Sequence, residues 1–138
     1  MIEGEQKITG RRGGTVEENR KKGILYIVVP CYNEEEALLP SAKSLLDKLD
    51  ALRESGIVSE KSRIVFVDDG SRDKTWELIT QLYHEHWEIT GLRFAHNRGH
   101  QNAILAGMLY AKDYCDYTIT IDADLQQDEN SIEDFVDA

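Results

Sequence analysis

Four short clusters hold the residues of this chain that can do chemistry. The first is IDADLQQD, residues 121–128, where an apolar stretch runs into three acids. Asp122 and Asp124 are two apart, so an extended chain through them points both carboxylates to one side, with small Ala123 between. Two such carboxylates repel, and one is driven towards protonation unless a cation sits beside them. A hard divalent ion with oxygen ligands, Mg²⁺ or Mn²⁺, is the natural partner, and Gln126 can add a neutral oxygen. The plainer alternative is that these aspartates end a strand and begin a turn.

The second cluster is Asp68-Asp69-Gly70-Ser71, a tight turn whose acid can accept hydrogen bonds from a ribose or a base, or can simply cap the next helix. The third is Tyr32-Asn33-Glu34, a flat ring able to stack on a base and a carboxylate able to orient it; here the alternative is helix capping by Asn33. The fourth, His96-Asn97-Arg98-Gly99-His100, leads into a helix N-terminus, where anions are favoured and Arg98 can meet a phosphate. Its two histidines invite acid–base chemistry, although hydrogen-bonded loop histidines are common.

The elements that must carry these clusters alternate. ILYIVVP (24–30) and RIVFVDD (63–69) are short continuous apolar runs, as expected of strands covered on both faces. GLRFA (91–95) is a weaker strand and YTITID (117–122) a fourth. Between the first two lies a helix bearing Leu38, Ala42, Leu45, Leu46, Leu49 and Leu52, with Pro40 near the first turn of its main part and Gly56 ending it. Asp73 caps a second helix with Trp76, Ile79, Leu82, Tyr83 and Trp87, the tryptophans at the core or its edge. Residues 100–112 form a third, with Ile104, Leu105, Met108 and Leu109 as its apolar stripe, and Asn130 with Glu133 opens a last one. This order predicts an α/β fold: a mostly parallel sheet, helices on both faces and right-handed crossovers. Ligands bind such sheets beyond the carboxyl ends of the strands, and all four clusters fall on that edge.

Residues 1–22 are rich in Gly, Glu, Lys and Arg without period and read as a flexible tail; 23–138 form the folded part. The formal charge of −10 argues against a nucleic-acid reader, which needs a basic face. It leaves room for one small phosphorylated ligand, above all with a metal. Cys31 and Cys115 match no metal or redox spacing and read as reduced thiols of a cytosolic chain. No apolar run approaches the roughly 18 residues of a membrane span, and no signal peptide is visible.

Together the segments VVPCYNEEEAL, FVDDGSRDKTWELI, NRGHQNAILAGMLYA and IDADLQQD resemble the family 2 glycosyltransferases of the GT-A fold, in the family's order and approximate spacing. Within that family the similarity is to the polyprenyl-phosphate glycosyltransferases, such as dolichyl-phosphate mannose synthase and the bacterial undecaprenyl-phosphate sugar transferases. The resemblance implies that Pro30, Tyr32 and Glu34 contact the nucleoside and that Val67 and Asp69 hold its base and ribose. It implies that Asp122, Ala123, Asp124 and Gln126 bind the metal and the diphosphate-sugar of a UDP- or GDP-sugar. Asp122 and Asp124 are then the catalytic pair, although which of them binds the metal directly and which touches the ribose or sugar varies across such enzymes, and a polyprenyl phosphate is the acceptor of an inverting transfer. The sequence departs from many relatives in LQQDEN, which has no proline after LQ and leaves Gln127 and Asp128 without a role.

The family's domain continues past the length seen here, with acceptor-binding and basic elements and, in many bacterial members, membrane helices. The chain is therefore expected to be the nucleotide-binding part, incomplete as an enzyme alone. In the whole protein it would work in the cytoplasm at the inner face of the membrane, which the remaining C-terminal part would contact. Competing readings are a non-catalytic nucleotide-binding module and a transferase acting on a saccharide. A sugar-nucleotide pyrophosphorylase lacks support because PCYNEEE has no glycine, and a phospho-acceptor domain because its later lysine has no counterpart. A Rossmann dehydrogenase is disfavoured by the absence of G-x-G-x-x-G.

Overall fold

The computed structural model describes residues 22–123. Within the described residues four strands and three helices alternate: β1 (Leu25–Cys31), α1 (Glu35–Glu54), β2 (Arg63–Asp68), α2 (Thr75–Glu85), β3 (Ile89–Arg93), α3 (His100–Ala111) and β4 (Tyr117–Thr120). The sheet is wholly parallel in the order β3-β2-β1-β4. The chain thus winds outward from β1 through β2 to β3, then returns to pair β4 on the other side of β1. That reversal opens a crevice between the carboxyl ends of β1 and β4.

β1 is buried along its whole length, which explains its unbroken apolar run. Its side chains alternate between two cores. Leu25, Ile27 and Val29 pack with Leu38, Leu45, Leu49 and Leu52 of α1 and with Ile79 and Leu82 of α2. Tyr26 and Val28 face the other way, with Val65, Val67 and α3.

The expected end of α1 holds. Gly56 adopts φ +81, its N–H bonds the Arg53 carbonyl (3.1 Å), and the Ile57 N–H bonds the Leu52 carbonyl (3.0 Å). This paired arrangement closes a helix with a left-handed glycine. The helix starts earlier than expected, at Glu35, so Pro40 lies inside it. The proline removes an N–H that would have met the Glu36 carbonyl, and Glu36 is exposed, where water can take that role.

Three expectations need correction. The third strand is Ile89–Arg93, two residues earlier than 91–95, because Ile89 is a core residue paired with Ile64. Trp87 lies outside α2 and is 56% exposed, its ring flanked by the guanidinium groups of Arg53 (5.3 Å) and Arg63 (5.4 Å). Trp76 is partly buried against the core, as expected.

The third concerns α3, which turns the opposite face inward. Ala103, Gly107 and Ala111 are buried, whereas Leu105, Met108 and Leu109 are exposed and Ile104 is only half-buried. The sheet beneath is already filled by valines. A Cβ on Gly107 would lie 2.4 Å from Val28 Cγ1 and 3.1 Å from Val67 Cγ2. Only small side chains let the helix come this close. No described helix is long and apolar enough to cross a membrane. The tail 1–22, apart from Lys22, and the Asn130–Glu133 capping box fall outside the described residues.

Candidate functional site

The carboxyl edge of the sheet is built in two halves. On one side, the loop after β1 and the loop after β2 are cross-linked by their own side chains. Asn33 adopts φ +53, a left-handed conformation that Asn tolerates better than most residues. Its N–H donates to Ser71 Oγ (2.8 Å), and its Oδ1 accepts from the Arg72 N–H (2.9 Å). The Glu34 N–H donates to Thr75 Oγ1 (2.8 Å), and Glu35 Oε1 accepts from the Lys74 N–H (2.9 Å). Asn33 therefore ties the two loops together rather than capping α1.

Asp73 completes the link. Its Oδ1 accepts from the Thr75 N–H (2.9 Å) and Thr75 Oγ1 (2.5 Å), and its Oδ2 from the Glu35 N–H (3.2 Å). One carboxylate thus serves the starts of two helices. Burial alone would raise its pKa, but the Thr75 and Glu35 donors outweigh that and hold it below the usual aspartate value. Asn33, Glu34, Glu35, Glu36, Ala37 and Asp73 line an open cleft of about 540 Å³. The Tyr32 ring stands beside this turn, 42% exposed.

On the other side, Asp68 and Asp69 end β2 with different partners. Asp68 is fully buried; its Oδ1 accepts from the Ser71 N–H (3.1 Å), and its Oδ2 faces Arg93 Nε at 3.6 Å. Asp69 is 3% exposed and reaches across to the loop before α3. Its two oxygens accept from the Arg98 N–H (2.7 Å) and the Gly99 N–H (3.0 Å). The approach to the α3 N-terminus, expected to attract an anion, thus already holds a carboxylate of the chain itself. The Arg98 guanidinium rests over the Phe94 ring at 5.9 Å.

The structure brings His100, the first residue of α3, to Asp122, the residue after next beyond β4, with Nε2 3.5 Å from Oδ1. The type of His100 was noted in the sequence, but its partner was not. Ala123 is buried, and its carbonyl accepts from Ser41 Oγ of α1. Pro30 and Val67 are buried within the sheet, Val67 on the α3 side, so they form the floor of the edge rather than project from it. Asp124, Gln126, Gln127 and Asp128 lie outside the described residues.

A divalent cation fits what is described. Among the described residues no three metal-ligating side chains converge, but Asp122 keeps its carboxylate 36% exposed at the crevice. Mg²⁺ and Mn²⁺ sites often need only one or two carboxylates, the remaining positions going to water and ligand phosphates. Asp122 is suited to that part.

Cys115 stands away from this chemistry, whereas Cys31 ends β1 and its carbonyl accepts from the Asp69 N–H (2.8 Å). Among the described residues neither takes part in a disulfide; Cys31 is buried, and burial, helped by Asp116, pushes the Cys115 thiol up to about 11.

Residues 26–138 match the family model described as glycosyl transferase family 2. The chain is 48% identical over 113 residues to the uncharacterized glycosyltransferase YkoT of Bacillus subtilis (strain 168), covering 82% of this chain and 34% of that relative. It is 34% identical over 116 residues to an undecaprenyl-phosphate 4-deoxy-4-formamido-L-arabinose transferase of Aeromonas hydrophila, covering 83% of this chain and 33% of the relative. The chain thus spans about a third of the length of these curated relatives. Among solved structures, the mannosyltransferase PcManGT of Pyrobaculum calidifontis, in complex with GDP-Man and Mn²⁺, is similar with a TM-score of 0.59. That match has 23% identity and covers 80% of this chain and 30% of that one. S. aureus TarS 1–349 is similar with a TM-score of 0.60 and 16% identity, covering 83% and 31% of the two chains. These likenesses carry the GT-A fold, and with the family match over residues 26–138 the chain belongs to glycosyltransferase family 2.

Proposed function

We propose that the crevice between β1 and β4 binds a UDP- or GDP-sugar with Mg²⁺ or Mn²⁺, and that the whole protein transfers the sugar, with inversion, to a polyprenyl phosphate. The observation that carries this reading is the joint position of Asp122 and the Tyr32–Glu34 turn at the mouth of one topological switch point. The named undecaprenyl-phosphate transferase among the relatives supports the acceptor class.

In this reading Tyr32 stacks on the base and Glu34 orients it, above a floor of Pro30 and Val67. Asp69 stands at the tip of β2, on the side of the base and ribose. Ala123, with no side chain beyond Cβ, lets the diphosphate approach the backbone, and Arg98 offers a cation to a phosphate. Asp122, Asp124 and Gln126 hold the cation, which when bound neutralises the departing nucleoside diphosphate. The bond from the sugar's anomeric carbon to the diphosphate oxygen breaks and its electron pair leaves with the nucleoside diphosphate. An oxygen of the acceptor phosphate forms the new bond from the opposite face. A phosphate monoester, with a second pKa of about 6, is already largely ionised at pH 7. Such an acceptor needs no strong base from these residues, whereas a saccharide hydroxyl would. The reaction would take place at the cytoplasmic face of the membrane, where the lipid acceptor lies.

Calorimetric titration of the chain with uridine and guanosine diphosphate, with Mn²⁺ and with chelator, tests the binding half. Metal-dependent binding of one of them is expected; binding of neither with Mn²⁺ would refute the site. Radiolabelled lipid from undecaprenyl phosphate, made by the whole protein, tests the acceptor, and product on a saccharide alone would reassign it.

A further inference from the structure

We propose that Asp69 is a positioning residue, fixing the turn before α3 and through it the place of His100 against Asp122. The proposal rests on the reading of the crevice given above, but its geometric part stands without it. β2 and β4 are not neighbours in the sheet, because β1 lies between them. The loop 96–99 offers a route over the edge, from the tip of β2 to the start of α3, whose first residue meets Asp122.

Two contacts dock this loop on the tip of β2. The first is the Asp69 carboxylate, which takes the consecutive amides of Arg98 and Gly99, one on each oxygen. The second is Gly70, at φ +74, packed flat on the loop backbone. A Cβ there would lie 2.6 Å from the Asn97 nitrogen and 2.6 Å from the His96 carbonyl carbon. Beyond the held amides, Gly99 turns the chain at φ +100 and His100 opens α3, its Nε2 3.5 Å from Asp122 Oδ1. Loss of the carboxylate would leave two amides seeking other acceptors, and a half-exposed imidazole would lose its fixed anchor one residue away. Asparagine preserves the shape but presents an NH₂ to one of the two N–H groups, so it can satisfy only one.

The role differs from contact with the nucleotide, and the two can be separated on the full chain. In Asp69→Asn, amide exchange at whichever of Arg98 and Gly99 faces the new NH₂ should quicken at least about tenfold, as expected for loss of a hydrogen bond to a charged group. The His100 imidazole resonance should move with it. Asp73→Asn, which disturbs the neighbouring pair of loops, should change neither. With Mn²⁺ and whichever of uridine or guanosine diphosphate binds, Asp69→Asn and His100→Ala should each weaken affinity about tenfold, and the double variant should be no weaker than the worse single one. Unchanged exchange and an unmoved imidazole signal, or losses that multiply in the double variant, would overturn the proposal. If neither nucleotide binds the parent chain, the functional reading fails, while exchange and the imidazole signal still decide the positioning. Should Asp69→Asn fail to fold, scalar coupling across the hydrogen bonds from the Arg98 and Gly99 nitrogens to the Asp69 carboxylate carbon can be sought in the unaltered chain. Its presence supports the link and its absence refutes it.

Discussion

Asp73 and Glu35 hold each other's helix starts: the Glu35 amide donates to Asp73 Oδ2 at 3.2 Å, and the Glu35 carboxylate accepts from the Lys74 amide at 2.9 Å. Both acids lie in the opening turns of α1 and α2 or just before them, where negative charge is favoured. The link keeps the loop bearing Tyr32 and Glu34 fixed against the loop after β2. It is thus part of the scaffold of the crevice, built from residues that need not touch a ligand.

Asp73→Ala should therefore lower stability by about 1–2 kcal/mol, the range of a lost helix cap. Its pH dependence follows from the depressed carboxyl. The stabilisation is fully present above the unfolded pKa of about 3.9 and is lost as pH falls through the lower folded value. Urea midpoints of parent and variant should converge as pH drops below about 4. A gap that stays constant from neutral pH down to acid unfolding would mean that the carboxylate is not the stabilising group.

The reversed face of α3 makes a sharper test. Gly107→Ala should cost about 1–3 kcal/mol, as overpacking does, because the new methyl meets Val28. Val28→Ala in the same chain should remove part of that penalty, so the double variant should be less destabilised than the sum of the two. Leu105→Ser, on the exposed face, should change stability by no more than about 0.5 kcal/mol. Denaturant titration measures all four variants, and a large loss at Leu105 with none at Gly107 would restore the stripe expected from residue type.

That stripe shows where reading residues in order succeeds and fails. β1 and β2 were legible because burial on both faces leaves only one pattern, a continuous apolar run. The close of α1 was legible because the left-handed turn at Gly56 asks for glycine. On α3 the large apolar residues misled, since the inward face is chosen by how near the helix must come to Val28 and Val67. At the site, the acids were legible by type and by their place after strands. Their partners were not: Asp69 bonds backbone amides 29 and 30 residues away, and every non-proline residue carries such an amide. Trp87 was missed because its companions, Arg53 and Arg63, are distant in sequence and ordinary in type.

Cys115 gives a prediction on the alkaline side. Its thiol is raised to about 11, so the folded state favours the neutral form. The associated stability is complete below the unfolded pKa of about 8.5 and is lost as pH climbs towards 11. Alkylation in the native chain at pH 8 should be slow for Cys115, and slow for Cys31 because it is buried. Both should react fast in urea. Rapid native labelling of Cys115 at pH 8 would show that its surroundings do not suppress the thiolate.

The acids at the end of β4 supply the last test. If they hold a cation, nucleoside diphosphate binding must depend on Mn²⁺ or Mg²⁺, and that dependence must run through Asp122 and Asp124. Ligand at about a hundred times its dissociation constant stabilises a folded chain by about 2.7 kcal/mol. In a domain of this size each kcal/mol moves Tm by roughly 2–4 °C or somewhat more. Uridine or guanosine diphosphate with Mn²⁺ should therefore raise Tm by at least about 5 °C, and chelation should remove most of the rise. Asp122→Asn and Asp124→Asn each keep the shape and remove one charge, so each should abolish the metal-dependent part. Neither should lower Tm without ligand, because each relieves like charge, which in Asp122→Asn offsets the lost contact of a partly exposed carboxylate with His100. A variant that melts well below the parent without ligand, yet keeps the full metal-dependent shift, would make that aspartate a structural turn residue and leave the cation without its anchor.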